Sequence, residues 1–216
     1  MGKTAIVLGA TGLVGGHVVR QLIRDSDVER IKIFGRNAAG INHPKVEEFL
    51  LDLFQLETYA QKFTGDVVFC CVGTTKAKTP DKETYRRIDY GIPVTAAQLA
   101  AANDIETFVV VSSLGANVSS SIFYNRTKGE MERDVLTIQI PRTYVVQPSL
   151  IGGNRSEKRT GERLAQRFSE IFGFLLPRKY KMIHAETIAK AMLKLWKTGA
   201  ATGRIPSHEL KRIAEE

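Results

Sequence analysis

Gly9-Ala10-Thr11-Gly12-Leu13-Val14-Gly15 follows directly on the apolar run Thr4 to Leu8 and leads directly into an amphipathic stretch, Leu13 to Arg24. Glycines at that spacing let a chain turn tightly from a strand into a helix. They also leave backbone N–H groups open to an anion at the positive end of the helix. A strand ending this way opens a β-α-β unit and commits the chain to a parallel sheet covered by helices. The spacing is G-x-x-G-x-x-G, one residue longer in its first interval than the common G-x-G-x-x-G.

The rest of the chain repeats the alternation. Apolar runs at Ile31 to Phe34, Val46 to Leu51, Val67 to Cys71, Phe108 to Ser112 and Thr143 to Gln147 read as buried parallel strands. Between them Leu56 to Phe63, Tyr85 to Ala102 and Tyr124 to Leu136 read as helices. The fold class is therefore α/β, a doubly wound parallel sheet of the Rossmann kind with right-handed crossovers. No repeat, low-complexity tract or linker marks a boundary, so residues 1–216 are read as one domain. Helical stretches at Glu162 to Phe172 and Ala185 to Lys197, separated by Pro177, assign residues 153–216 to a substrate-covering lid and C-terminal helices.

The chain carries 31 Lys plus Arg against 23 Asp plus Glu, a formal net charge of +8. Residues 1–150 hold a net +1 and residues 151–216 a net +7. Such a bias serves nucleic acid, an anionic membrane, a phosphorylated ligand, or solubility alone. No aromatic interleaving, zinc spacing or recognition-helix pattern accompanies it, so no nucleic acid is expected. The charge falling on the covering segment points to an acidic substrate or partner. Adjacent Cys70 and Cys71 exclude C-x-x-C redox or zinc spacing, and the four histidines lack metal-ligand spacing. The uncharged stretches Thr4 to Val19 and Thr107 to Asn125 hold too many glycines, serines and asparagines for a signal or a membrane span. A cytoplasmic, membrane-free protein, monomeric or homodimeric, is the expectation.

Two further patterns carry chemistry. The second strand ends in Phe34-Gly35-Arg36-Asn37, where an acidic residue would hold the ribose of NAD and a basic one a 2′-phosphate. Asp25 and Asp27 lie at the wrong end of that strand, so Arg36 points to NADP(H). Asp52, after the third strand, is either an adenine contact or a helix N-cap. The second pattern is Tyr124-Asn-Arg-Thr-Lys128, which sets a phenol and an ammonium on one helix face. A positive charge beside a phenol favours phenolate, and such a tyrosine can protonate a carbonyl that receives hydride. Ser112-Ser113, at the end of the preceding strand, offers hydroxyls to the same oxygen.

Together these motifs resemble the short-chain dehydrogenase/reductases over nearly the whole chain. The likeness is strongest to the small atypical members related to the Tat-interacting oxidoreductase, through Ser112 to Ala116, Tyr124 to Glu130 and Arg159 to Glu162. The resemblance implies Ser113, Tyr124 and Lys128 as catalytic residues, with Lys128 also holding the nicotinamide ribose. Ser113 is favoured because it lies beyond the strand end. The cofactor would lie along Gly9, Thr11, Gly12, Leu13, Val14, Gly15, Arg36, Asp52 and Leu53. It would then pass Cys71, Val72, Gly73 and Thr74 and reach Tyr124, Lys128, Pro148, Ser149 and Leu150. The implied activity is NADPH-dependent reduction of a small carbonyl compound. The alternative is a catalytically silent NADPH-binding sensor that presents its surface to a protein partner. Gln147 stands where many extended members carry arginine, which weakens any inference of sugar-nucleotide substrates. His17 is read as helix packing, His184 as a cleft or capping residue. Lys76, Lys78 and Lys82 with Arg86 and Arg87 are read as a solvated basic face.

Overall fold

A computed structural model describes residues 2–152 and 182–216. Strand β1 (Lys3–Leu8) passes through the glycine turn into helix α1 (Leu13–Arg24), and β2 (Val28–Gly35) and β3 (Val46–Leu50) follow. A 3₁₀ segment, Leu53–Lys62, leads to β4 (Val67–Cys70). Helices α2 (Lys82–Arg86) and α3 (Ile92–Ala102) flank a π-helical turn, Arg87–Gly91, and precede β5 (Thr107–Val111), α4 (Phe123–Thr137) and β6 (Arg142–Gln147). The remaining described elements are β7 (Ile151–Gly152), β8 (Ile183–His184), α5 (Ala185–Thr198), β9 (Gly203–Pro206) and α6 (Ser207–Glu215).

The main sheet has seven strands in the order β3-β2-β1-β4-β5-β6-β9, each pair parallel. The strand sequence reverses direction between β1 and β4, and the crevice at the carboxyl ends of those two strands is where such sheets take ligands. Side chains alternate between two apolar layers because successive strand residues face opposite sides. Ala5, Val7, Phe69 and Val109 join α1, α5 and α6 on one face; Ile6, Leu8, Val68 and Val110 join the 3₁₀ segment, α3 and α4 on the other. Phe69 meets Trp196 of α5 edge-on at 5.9 Å, and Phe34 stacks on Phe49 at 4.7 Å.

All six expected strands are present. Three features differ from the sequence reading. The stretch Tyr85 to Ala102 is not one helix, because Pro93 has no N–H to give the carbonyl of residue 89. The ladder there shifts register, with Ile92 N–H bonding the Arg87 carbonyl. The expected helix Leu56 to Phe63 is a 3₁₀ segment that begins earlier, at Leu53. The seventh strand, β9, had no expectation at all: it is four residues long, with glycine at one end and proline at the other. The expected helix Glu162 to Phe172 and most of the lid lie outside the described residues.

Candidate cofactor and active site

The glycine turn is tight in a way that side chains would prevent. Gly9 has φ +80°, and a Cβ there would sit 2.6 Å from the Cys71 carbonyl oxygen; one at Gly15 would sit 2.2 Å from the Gly9 carbonyl oxygen. Strand β1, its neighbour β4 and helix α1 therefore approach backbone to backbone, and the N-terminus of α1 faces the crevice. The Gly12 side-chain position can offer no cap, so the first N–H groups of α1 have no side-chain partner from it.

This turn floors a cleft of about 670 Å³. Of the expected residues, Thr11, Gly12, Leu13, Val14, Cys71, Val72, Gly73, Thr74, Tyr124 and Lys128 line it. Gly9 and Gly15 shape its floor from beneath. Arg36 is exposed beyond its edge, while Arg20, one turn into α1, lines it. Asp52 takes the N-cap alternative: its carboxylate accepts from Phe54 N–H at 3.0 Å, and neither it nor the buried Leu53 lines the cleft. Pro148 is buried and its carbonyl accepts from Leu114 N–H at 2.9 Å, Ser149 pairs its hydroxyl with Ser207 at 2.9 Å, and Leu150 is exposed; Ile151 is the residue of that segment on the cleft wall.

At the other end of the cleft, α4 carries Tyr124 and Lys128 on one face, as their spacing requires. Tyr124 is partly exposed, and Lys128 is buried. The Lys128 ammonium lies 2.9 Å from Asp89 Oδ1 and 3.4 Å from the Val111 carbonyl oxygen. Asp89 is presented by the π-helical turn, and its second oxygen accepts from Thr74 N–H at 2.8 Å. Burial works against the charge on Lys128, but Asp89 and then Tyr124 outweigh it and hold its pKa above the ordinary 10.5. Gly73 packs against the pair: a Cβ there would stand 3.4 Å from Asp89 Oδ1, an ordinary van der Waals contact.

The two serines differ in their commitments. Ser112 lines the cleft and donates its hydroxyl proton to Glu132 Oε1 at 2.5 Å. Ser113 Oγ is buried with no hydrogen-bond partner among the described residues. Glu132, fully buried on α4, also accepts from Gln147 Nε2 at 2.9 Å and from Arg204 Nε of β9 at 2.7 Å. Asp89, Glu132 and Arg20 were not read from the sequence. The first two sit in helical stretches where charged residues ordinarily face water, and only their distant partners draw them inward.

The cysteines are free, and burial pushes Cys70 up to about 11 and raises Cys71 well above the ordinary thiol value, which disfavours thiolate at both. His17 is half-buried on α1, and burial followed by Arg20 lowers its pKa. His184 is exposed at the start of α5 and makes no capping bond with its side chain.

A family model described as NAD(P)H-binding matches residues 9–195. The chain belongs to that NAD(P)H-binding family. Protein HTATIP2 of Rattus norvegicus is 32% identical over 198 residues, covering 88% of this chain and 80% of its own. Protein FMP52-1, mitochondrial, of Scheffersomyces stipitis is 32% identical over 157 residues, covering 70% of this chain and 69% of its own. Among solved structures, the Bordetella bronchiseptica enzyme WbmH in complex with NAD+ superposes with a TM-score of 0.76 at 14% identity, over 95% of this chain and 75% of its own. A UDP-N-acetylglucosamine 4-epimerase from Methanobrevibacter ruminantium superposes with a TM-score of 0.71 at 17% identity, over 94% of this chain and 76% of its own. These neighbours carry the same Rossmann-like sheet and confirm the fold of this family member.

One expectation is overturned. The fungal relatives, including Protein FMP52 of Debaryomyces hansenii, are named as mitochondrial proteins, against the cytoplasmic reading. An α/β domain meets the same physical demands in either compartment, so composition carried no information on that point. No described helix is long and apolar enough to cross a membrane.

Proposed function

We propose that this protein is an NADPH-dependent oxidoreductase that reduces a small carbonyl compound, with Tyr124 as proton donor. The observation that carries the reading is that Tyr124, the buried Lys128–Asp89 pair and the glycine turn at the head of α1 all face one cleft. The residues present fit a dinucleotide. The backbone cradle at Gly9, Gly12 and Gly15 has no room for side chains, which suits a pyrophosphate held on main-chain N–H groups.

When bound, a reduced nicotinamide supplies the hydride. Thr11 to Val14 hold the pyrophosphate, and Arg20 with Arg36 bring positive charge to the adenosine end, which favours a 2′-phosphate. Lys128 holds the ribose and places its fixed charge beside Tyr124. The Tyr124 hydroxyl protonates the carbonyl oxygen as the carbon is reduced. Ser112 lines the cleft and Ser113 does not, but Ser112 has given its proton to Glu132 while Ser113 Oγ has no partner among the described residues, so Ser113 is assigned the hydrogen bond to that oxygen. Asp89 touches none of the reacting atoms and acts by positioning Lys128.

Titration of NADPH and NADH by fluorescence, followed by loss of nicotinamide absorbance against a carbonyl panel, tests the reading. NADPH binding at least about tenfold tighter than NADH, worth roughly 1.4 kcal/mol, is expected, and Arg36→Ser should narrow the gap. Equal affinities would remove the NADP assignment, and bound NADPH without turnover on any carbonyl would remove the reductase.

A further inference from the structure

A second cavity of about 410 Å³ adjoins the cofactor cleft and shares Thr74, Thr75 and Tyr124 with it. Its walls are mostly carbon: Tyr85, Ile122, Phe123 and Pro80. The Tyr85 ring meets Phe123 at 5.6 Å and Tyr124 at 6.4 Å, both edge-on, so three aromatic rings form one continuous surface. Tyr85 is buried and its hydroxyl donates to the Thr74 carbonyl at 3.4 Å, leaving the ring as apolar wall. Ile122, on the cavity wall, is 59% exposed.

Two lysines, Lys76 and Lys82, line this cavity, and no Asp or Glu among the described residues does. The adjacent acid, Asp81, is turned away: its carboxylate caps α2 by accepting from Thr84 N–H at 2.7 Å. The two arginines of the same basic run are also committed elsewhere. Arg86 pairs with Glu130 and lies over the Tyr90 ring, and Arg87 lies over Phe54. Lys82 instead lies 5.9 Å over the Phe123 ring, at the boundary of the aromatic wall.

An aromatic cavity whose described lining carries two lysines and no acid selects for a ligand with the opposite arrangement. We infer that the substrate is an anionic carbonyl compound with an apolar body, an aryl or short-chain aldehyde or ketone bearing a carboxylate, with its carbonyl at Tyr124 and its carboxylate toward Lys76 and Lys82. The volume lies at the small end of the roughly 300–1,000 Å³ of ligand pockets, which suits one ring rather than a sugar nucleotide. The inference rests on the reductase reading for its carbonyl and on the cavity alone for its charge and apolarity.

The test uses the full chain with NADPH and three aldehydes: 4-carboxybenzaldehyde, benzaldehyde and glyceraldehyde. Turnover of 4-carboxybenzaldehyde is expected to exceed that of benzaldehyde by about fivefold in kcat/KM, the most that partly exposed ammonium groups provide, with glyceraldehyde last. Lys76→Gln/Lys82→Gln should collapse the ratio between the two benzaldehydes toward one, and Phe123→Ala should lower both. A parallel titration measures 4-carboxybenzyl alcohol, which NADPH cannot reduce, binding to the protein–NADPH complex. Binding that the double lysine variant weakens, with no turnover of any aldehyde, would sink the reductase reading and uphold the cavity assignment. Turnover indifferent to the carboxylate, a preference for glyceraldehyde, or an alcohol that does not bind would overturn the cavity assignment.

Discussion

Lys128 Nζ lies 2.9 Å from Asp89 Oδ1, with the two side chains only 4% and 1% exposed. The ammonium and the carboxylate come from helical segments far apart in sequence and meet on the wall of the cleft. A buried ion pair is costly to assemble and far costlier to break, because the survivor is left charged without a partner. The pair is therefore a fixed electrostatic element beside Tyr124.

Asp89→Asn should keep the bond to Thr74 N–H, remove the counter-charge and destabilise the fold by about 3–5 kcal/mol in chemical denaturation. It should also change the pH profile. A lysine whose pKa is raised in the folded state contributes stability that is full below its unfolded value and is lost as pH rises through the folded one. The parent should thus lose stability more steeply above pH 10.5 than the variant, and parallel profiles would contradict the assignment.

Tyr124→Phe should bind NADPH as the parent does and reduce its substrate about 10²–10⁴-fold more slowly, the usual contribution of a placed proton donor. The ring is retained, so both cavity walls persist. Single-turnover kinetics with bound NADPH separate this from a binding defect.

Gly15→Ala should be poorly tolerated although alanine favours helices. Its Cβ would meet the Gly9 carbonyl oxygen at 2.2 Å, so α1 must move off β1. A loss of about 1–3 kcal/mol is expected, as for other overpacked sites, together with weaker NADPH binding. Thermal melts with and without NADPH would show both.

Arg204→Met removes one of the partners of buried Glu132 while Ser112 and Gln147 keep theirs. A charge-assisted hydrogen bond of this kind is worth about 1.5–3 kcal/mol. Glu132→Leu, which also frees the Ser112 hydroxyl, should cost more and alter kcat as well as stability. A variant with parental kcat would confine Glu132 to a scaffolding role.

The parts of this molecule that were legible from sequence are those whose meaning is local. The glycine turn is set by neighbours within seven residues, and the Tyr124 and Lys128 face by one turn of helix. Arg36 was read from its place after β2, yet it lies outside the cleft edge and Arg20 lies on it, because the direction of a long side chain depends on the loop around it. Asp89 was hidden because its burial depends on a register shift caused by Pro93 and on a lysine 39 positions away. Glu132 looked like one more acid in a charged helix, and the cation that accompanies it comes from β9, the strand no local pattern announced.

The π-helical turn at Arg87–Gly91 holds one residue more than an α-helical path would need. An α-helix advances about 100° per residue, so deleting a single residue there would swing position 89 roughly a quarter-turn away from Lys128 while Pro93 still interrupted the ladder. The counter-ion of the site is thus separated from its loss by one codon. In descent, this family could gain or shed the electrostatic core of its chemistry in a single event without changing its fold.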